Sequence, residues 1–158
     1  MLLIAEERKQ RAISQAQMTK SGNVYIISNV GSFGENVYKI GMTRRLEPED
    51  RVNELGDASV PFKFDIHAMI ASDDAPALEN KLHEIFKTKS VNRVNYRKGF
   101  FRVTLDEIEQ AVRECTNADI AFTKIAEARE YKETQAIINS ENKIRQKQTV
   151  NDELPLEI

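Results

Sequence analysis

"VYIISNVGSFGENVYKIG", residues 24–41, holds two runs rich in β-branched and aromatic residues, separated by "GSFGEN". "VYIISNV" (24–30) and "VYKIG" (37–41) read as strands, and the Gly-rich segment between them reads as the loop of an antiparallel hairpin. Side chains alternate along a strand, so Tyr38 and Lys39 fall on opposite faces of the second strand. A lysine in the middle of an otherwise apolar strand calls for a reason.

Working outward from the hairpin, residues 3–19 read as a helix that ends before the breaker "KSGN". "LEPEDRVNELG" (46–56) reads as a helix with Pro48 in its first turn, acids at its N-terminal end, Val52 and Leu55 on one face, and Gly56 placed to stop it. "FKFDIHAMI" (62–70) supplies a third strand. "SDDAPALENKLHEIFK" (72–87) predicts a helix capped by Asp73 or Asp74, with Leu78, Leu82 and Ile85 turned inward. "GFFRVT" (99–104) reads as a short closing strand, and Thr104 with Glu107 has capping-box spacing at the start of the next helix. Lys124 to Gln148 is charged and helix-prone with a thin apolar stripe; such a segment packs on a neighbour, projects as an arm, or pairs with another chain. The fold class expected is α/β, a small and mainly antiparallel sheet of three or four strands flanked by helices. A helical lead-in (1–21) precedes the domain (22–112), and a helical extension (113–158) follows it.

The 158 residues carry a formal net charge of -2, which by itself points to no nucleic-acid partner. The distribution is more informative. From Phe86 to Arg102 there are six bases (Lys87, Lys89, Arg93, Arg97, Lys98, Arg102) and no acid. Clustered positive charge of this kind suits a phosphate backbone, the plainer reading being a solvated loop. The single cysteine, Cys115, excludes an intrachain disulfide and a Cys-based zinc site, and agrees with a reducing, cytoplasmic setting. The opening "MLLIAEERKQ" is too short in its apolar run for a signal peptide or a membrane span, and no later segment is long enough, so no membrane contact is expected.

The hairpin brings Tyr25 and Lys39 onto paired strands, the next helix adds Arg51, and the following helix adds Glu79. A phenol, an amine, a guanidinium and a carboxylate from four successive elements are the kit that phosphodiester hydrolysis uses: a base for water, a cation for the phosphate oxygens, and a carboxylate for a divalent metal. His83 follows Glu79 at i, i+4 and shares its helix face. His67, in the third strand, has no partner in view and reads as a core or surface histidine.

In order, "NVY", "VYKIGMT", "EPEDRVNEL", "ALENKLHEIF" and "RVN…FFRV" resemble the GIY-YIG nuclease superfamily, and most of all its branch in phage and bacterial phage-defence proteins. The resemblance covers residues 22–110. Tyr25 stands at the family's first tyrosine, Lys39 at its second, Arg51 at the helix arginine and Glu79 at the metal-binding glutamate. It implies a DNA endonuclease, RNA not being excluded, that uses Mg²⁺ or Mn²⁺ on Glu79. Tyr25 would be the general base supported by Lys39, Arg51 would stabilise charge, and His83 would join the catalytic set. Arg44, Arg45, Lys89, Arg93, Asn95, Arg97 and Lys98 are the expected nucleic-acid contacts. Gly99 departs from that branch, where a glutamate is usual. The alternative is a nucleic-acid-binding module that keeps the fold without catalysis. An interaction domain, meeting a second copy or a parent protein through its terminal helices, is a third reading.

Overall fold

The hairpin forms as β1 (Gly22–Ser28) paired antiparallel with β2 (Val37–Thr43), Tyr25 lying opposite Gly41 and Ile27 opposite Lys39. The structure, a computed structural model, describes residues 20–117, 120–124 and 126–153. The helix expected over 3–19 lies outside the described residues. β3 (Asp65–Ser72) pairs with the outer side of β1, and the three-residue β4 (Phe100–Arg102) pairs with β2, giving the order β3-β1-β2-β4 with every pairing antiparallel. The third strand thus starts and ends later than its apolar run suggests.

"GSFGEN" is not a plain hairpin loop. Val30–Phe33 closes a helical turn, α1, because the Asn29 side chain accepts from the Ser32 N–H and donates to the Phe62 carbonyl at 2.7 Å. α2 (Pro48–Ala58) runs two residues past Gly56, which is buried against Lys63 and Phe64 instead of ending the helix. α3 (Ala75–Phe86) is capped by Asp74, whose carboxylate accepts from the Ala77 N–H at 3.2 Å. Its buried face is Ala75, Leu78, Leu82, His83 and Phe86; Ile85, expected inward, is 47% exposed because Phe86 takes the last inward position. α4 (Leu105–Cys115) begins on Thr104, which accepts from the Glu107 N–H. The reciprocal arm of a capping box is replaced by an ion pair from Glu107 to Lys89 at 3.0 Å.

Two clusters make the core. On one face of the sheet Val24, Ile26, Ile40, Ala68 and Ile70 meet Leu78, Leu82 and Phe86 of α3, Ile108 and Val112 of α4, and Phe101. On the other, Tyr25 and Ile27 meet Val52 of α2 with Leu55, Phe64, Ile66 and Met69 around them. The chain after α4 returns across β3: Ile120 is buried, and His67, itself buried, bonds Ser28 Oγ through Nε2 at 2.6 Å and the Thr123 carbonyl through Nδ1. α5 (Arg129–Glu153) starts later than the helix-prone stretch and docks through its first turn, where Glu130 accepts from the Lys63 N–H and Tyr131 meets Phe62 edge-on. Beyond that turn its described residues are largely exposed.

β4 stops where Lys39 faces Phe100, so the outer edge of β2 continues past it without a strand partner. The Gly99 carbonyl accepts from the Ile40 N–H at 2.8 Å, and His83 Nε2 bonds the Ile40 carbonyl at 2.7 Å. Gly99 adopts φ +84, and a Cβ there would stand 2.7 Å from the Ile40 oxygen and 3.3 Å from His83 Nε2. A side chain at 99 is therefore opposed twice, by left-handed backbone and by crowding, which explains the glycine where the resemblance expects glutamate. Gly99→Ala should cost about 1–3 kcal/mol in urea unfolding, the range for a residue held in a disfavoured backbone region. A loss within experimental error would mean that this turn relaxes freely.

Candidate functional site

A strand pair puts directly opposed residues on the same face, so Tyr25, Ile27, Lys39 and Gly41 share one. Gly41 has no side chain, and the Tyr25 ring lies in the space it leaves; a Cβ at 41 would overlap Tyr25 Cζ and Oη. Close backbone approach at Gly41 is thus used by the tyrosine itself. Tyr25 is 3% exposed, and its hydroxyl is hydrogen-bonded to Arg51. Arg51 reaches it because the next residue, Val52, is the helix residue packed on Tyr25 and Ile27.

Lys39 extends from the same face. Its Nζ donates to the Lys98 carbonyl at 2.9 Å and lies 4.7 Å from the centre of the Phe100 ring. Burial lowers its pKa, with Arg51 and Lys98 adding to the effect and Glu79 opposing it. Burial moves Tyr25 the other way, upward, with Arg51 opposing the shift and Glu79 adding to it. Glu79 arrives from α3 at the unpaired edge of β2, where its carboxylate accepts from the Met42 backbone N–H. Burial also raises the Glu79 pKa, against the pull of His83, Lys39, the Met42 bond and Arg97. The four residues singled out in the sequence therefore form one electrostatically linked, half-buried group. Tyr38 faces the opposite side and packs edge-on to His67, with ring centres 5.3 Å apart.

His83 shares the helix face of Glu79 but is only 2% exposed, and its ring supports the Ile40 carbonyl and packs on Phe101. Glu79 and His83 together serve the backbone groups of Met42 and Ile40 that a longer β4 would have served. Part of the basic stretch is paired: Lys89 with Glu107 of α4, and Lys87 with its helix neighbour Glu84. Outside the stretch, Arg45 and Arg51 both pair with Glu54. Asn95 caps the turn Tyr96–Lys98, its Oδ1 accepting from the Arg97 N–H at 3.2 Å. Arg93 and Lys98 remain exposed, as does Arg44, and Arg97 acts on Glu79 from outside. Sequence reasoning missed Glu54 and the Met42 N–H; the i+3 spacing of Arg51 and Glu54 was the available signal for the first.

Among the described residues no group of three or more His, Cys, Asp or Glu is arranged to hold a metal. One carboxylate nonetheless fits a Mg²⁺ that arrives with water and substrate phosphates, since such ions use one or two protein carboxylates. Burial disfavours the anionic form of Glu79. Among the described residues no helix is long and apolar enough to cross a membrane.

Fold and site define a small antiparallel α/β domain with a half-buried polar cleft beside the unpaired edge of β2. The chain belongs to the T5orf172 domain family, whose model matches residues 22–116, from the first residue of β1 to just past α4. No curated protein and no solved structure matches it.

A carboxyl whose folded pKa is raised stabilises the fold below its unfolded pKa and loses that contribution as pH rises through the folded value. Ionised Glu79 thus destabilises the fold at neutral pH. Glu79→Gln should melt at a higher temperature than wild type at pH 7, and the gap should close near pH 4. A less stable variant at pH 7 would mean that the surrounding cations and the Met42 bond outweigh burial.

Proposed function

We infer that the protein is a metal-dependent endonuclease of the GIY-YIG type that hydrolyses DNA phosphodiester bonds. The observation carrying this reading is the convergence of Tyr25, Lys39, Arg51 and Glu79, from β1, β2, α2 and α3, in one half-buried cleft. Membership of the T5orf172 family, linked to endonuclease-like domains and to phage, supports the class of activity.

Burial separates the two candidate bases. It lowers the pKa of Lys39 and raises that of Tyr25, so it favours the free amine while it opposes the phenolate. The Lys98 carbonyl holds one amine hydrogen and orients Lys39 toward a water. Tyr25, whose oxygen is bonded to Arg51, directs its O–H to the water or to a phosphate oxygen. Arg51 offers its remaining N–H groups to the non-bridging oxygens, where negative charge grows during in-line attack. Glu79 would hold Mg²⁺ or Mn²⁺, which when bound neutralises charge on the leaving oxygen. His83 is a positioning residue: it fixes the strand between Lys39 and Gly41 through the Ile40 carbonyl. Arg44, Arg93, Arg97 and Lys98 would contact the phosphate backbone, giving affinity that falls with salt.

Incubation with supercoiled plasmid, with and without Mg²⁺ or Mn²⁺, tests the reading. Wild type should cut only with metal, and Glu79→Gln should bind DNA without cutting it. Equal cutting by both, or none by wild type with either metal, overturns the proposal.

Lys39→Met keeps the aliphatic length and removes the amine. Its rate should fall at least tenfold, the lower end of what an acid–base group supplies. Because the Lys39 pKa is lowered, wild-type activity should rise with pH below the ordinary lysine range, and the variant should lose that limb. A limb that persists in the variant and lies above the ordinary tyrosine value would return the base role to Tyr25.

A further inference from the structure

On the same face of the sheet as the cleft, and adjoining it, lies a pocket whose aromatic wall the proposed hydrolysis does not use. Val37, Lys39 and Gly41 alternate onto one side of β2, and the partners of the first two, Arg102 and Phe100, lie beside them on β4. Val37 is one strand repeat, about 7 Å, from Lys39. A pocket of about 300 Å³ opens there, lined by Phe33, Val37, Val91, Phe100, Lys98 and Arg102. Its walls are chiefly apolar and aromatic, while Lys98 and Arg102 bring positive charge.

The aromatic wall is assembled on purpose by the α1 turn. Asn29 caps that turn, and the turn lifts Phe33 over the sheet until its ring centre is 4.9 Å from that of Phe100. Phe33 is 38% exposed, and Val91 beside it is 43% exposed. Phe100 in turn lies under Lys39 Nζ, and Lys98 gives Lys39 its carbonyl partner, so the pocket and the cleft share two residues. Asn92, also on the wall, uses its Oδ1 to accept from the Val94 and Asn95 N–H groups, which leaves its amide as a donor for a polar edge.

We propose that this pocket receives one unstacked nucleobase of the DNA strand whose phosphate enters the cleft, the base stacking on Phe33 while Lys98 and Arg102 hold the flanking phosphates. This deepens the nuclease reading and rests on it. An aromatic face accepts any base, and neighbouring cations track the backbone, the combination that binds single-stranded nucleic acid with little sequence preference. The substrate is then a single strand, or a duplex with a locally opened or unpaired nucleotide, in preference to a perfect duplex. Opening a base already unpaired costs least, which is a source of selectivity.

The test uses the full chain carrying Glu79→Gln, which separates binding from cutting. Fluorescence anisotropy would compare a single DNA strand, a matched duplex, and the same duplex with one unpaired base. Phe33→Ala should weaken binding of the first and third by about 5- to 150-fold, the span that stacking on one ring corresponds to. The matched duplex should change little, and Phe33→Trp should restore the loss. Phe33→Leu retains apolar packing on Phe100 and carries the comparison if the alanine variant is poorly folded. Equal losses on all three DNAs, or no loss on any, would overturn the stacking pocket and leave the nuclease reading standing. Failure of the parent protein to bind any of the three would instead overturn the nuclease reading.

Discussion

The Tyr25 ring lying in the space of a missing side chain at Gly41 is the contact on which the site depends. A tyrosine on a sheet ordinarily stands away from it; here the absent Cβ across the ladder lets the ring lie down between the strands. That posture buries the ring and delivers its hydroxyl to Arg51. It also gives Val52 a flat surface to pack on, which sets the position of α2 and so of Arg51. One glycine thereby governs a ring, a helix and a guanidinium.

A second constraint acts from the other side of the sheet. β4 is only three residues long, and the backbone of β2 beyond it needs partners in a place that water does not freely reach. α3 supplies them from two residues one turn apart, a carboxylate for Met42 and an imidazole for Ile40. Glu79 is consequently held by the sheet edge before any substrate arrives. Rigid support of this kind keeps a reactive group within the tolerance that catalysis demands. The unfavourable electrostatics of a buried carboxylate, amine and phenol are tolerated because the apolar layers on both faces supply the stability.

What could be read from the sequence was whatever is local or strictly ordered. The hairpin, the capped helix at Asp74, the opposite faces of Tyr38 and Lys39, and the four polar residues of the cleft follow from alternation, helix periodicity and motif order. What escaped depends on contacts far apart in the chain. The loop after β1 closes into a helical turn because Asn29 finds the Phe62 carbonyl. Gly56 stays inside its helix because the chain at Lys63 and Phe64 comes back over it. Lys89 looked available for phosphate because Glu107, its partner, lies eighteen residues away (|i−j|=18). His67 looked solitary for the same reason: Thr123, its partner, is separated by 56 positions. Charge runs read along a chain overstate free charge wherever acids return from another element.

The return of the chain over His67 has a consequence for how this protein meets others. Strands at the rim of a sheet recruit foreign strands through bare amide groups. On the β3 rim the His67 carbonyl is occupied by the Thr123 N–H at 2.8 Å, and on the β4 rim the Phe100 carbonyl is occupied by the Val91 N–H at 2.9 Å. Each rim is thus met by the protein's own backbone, at the third residue of β3 and at the first of β4. Strand-on-strand growth, the route to fibrous aggregates, is thereby blunted at both ends of the sheet without a proline or a buried charge in either rim strand.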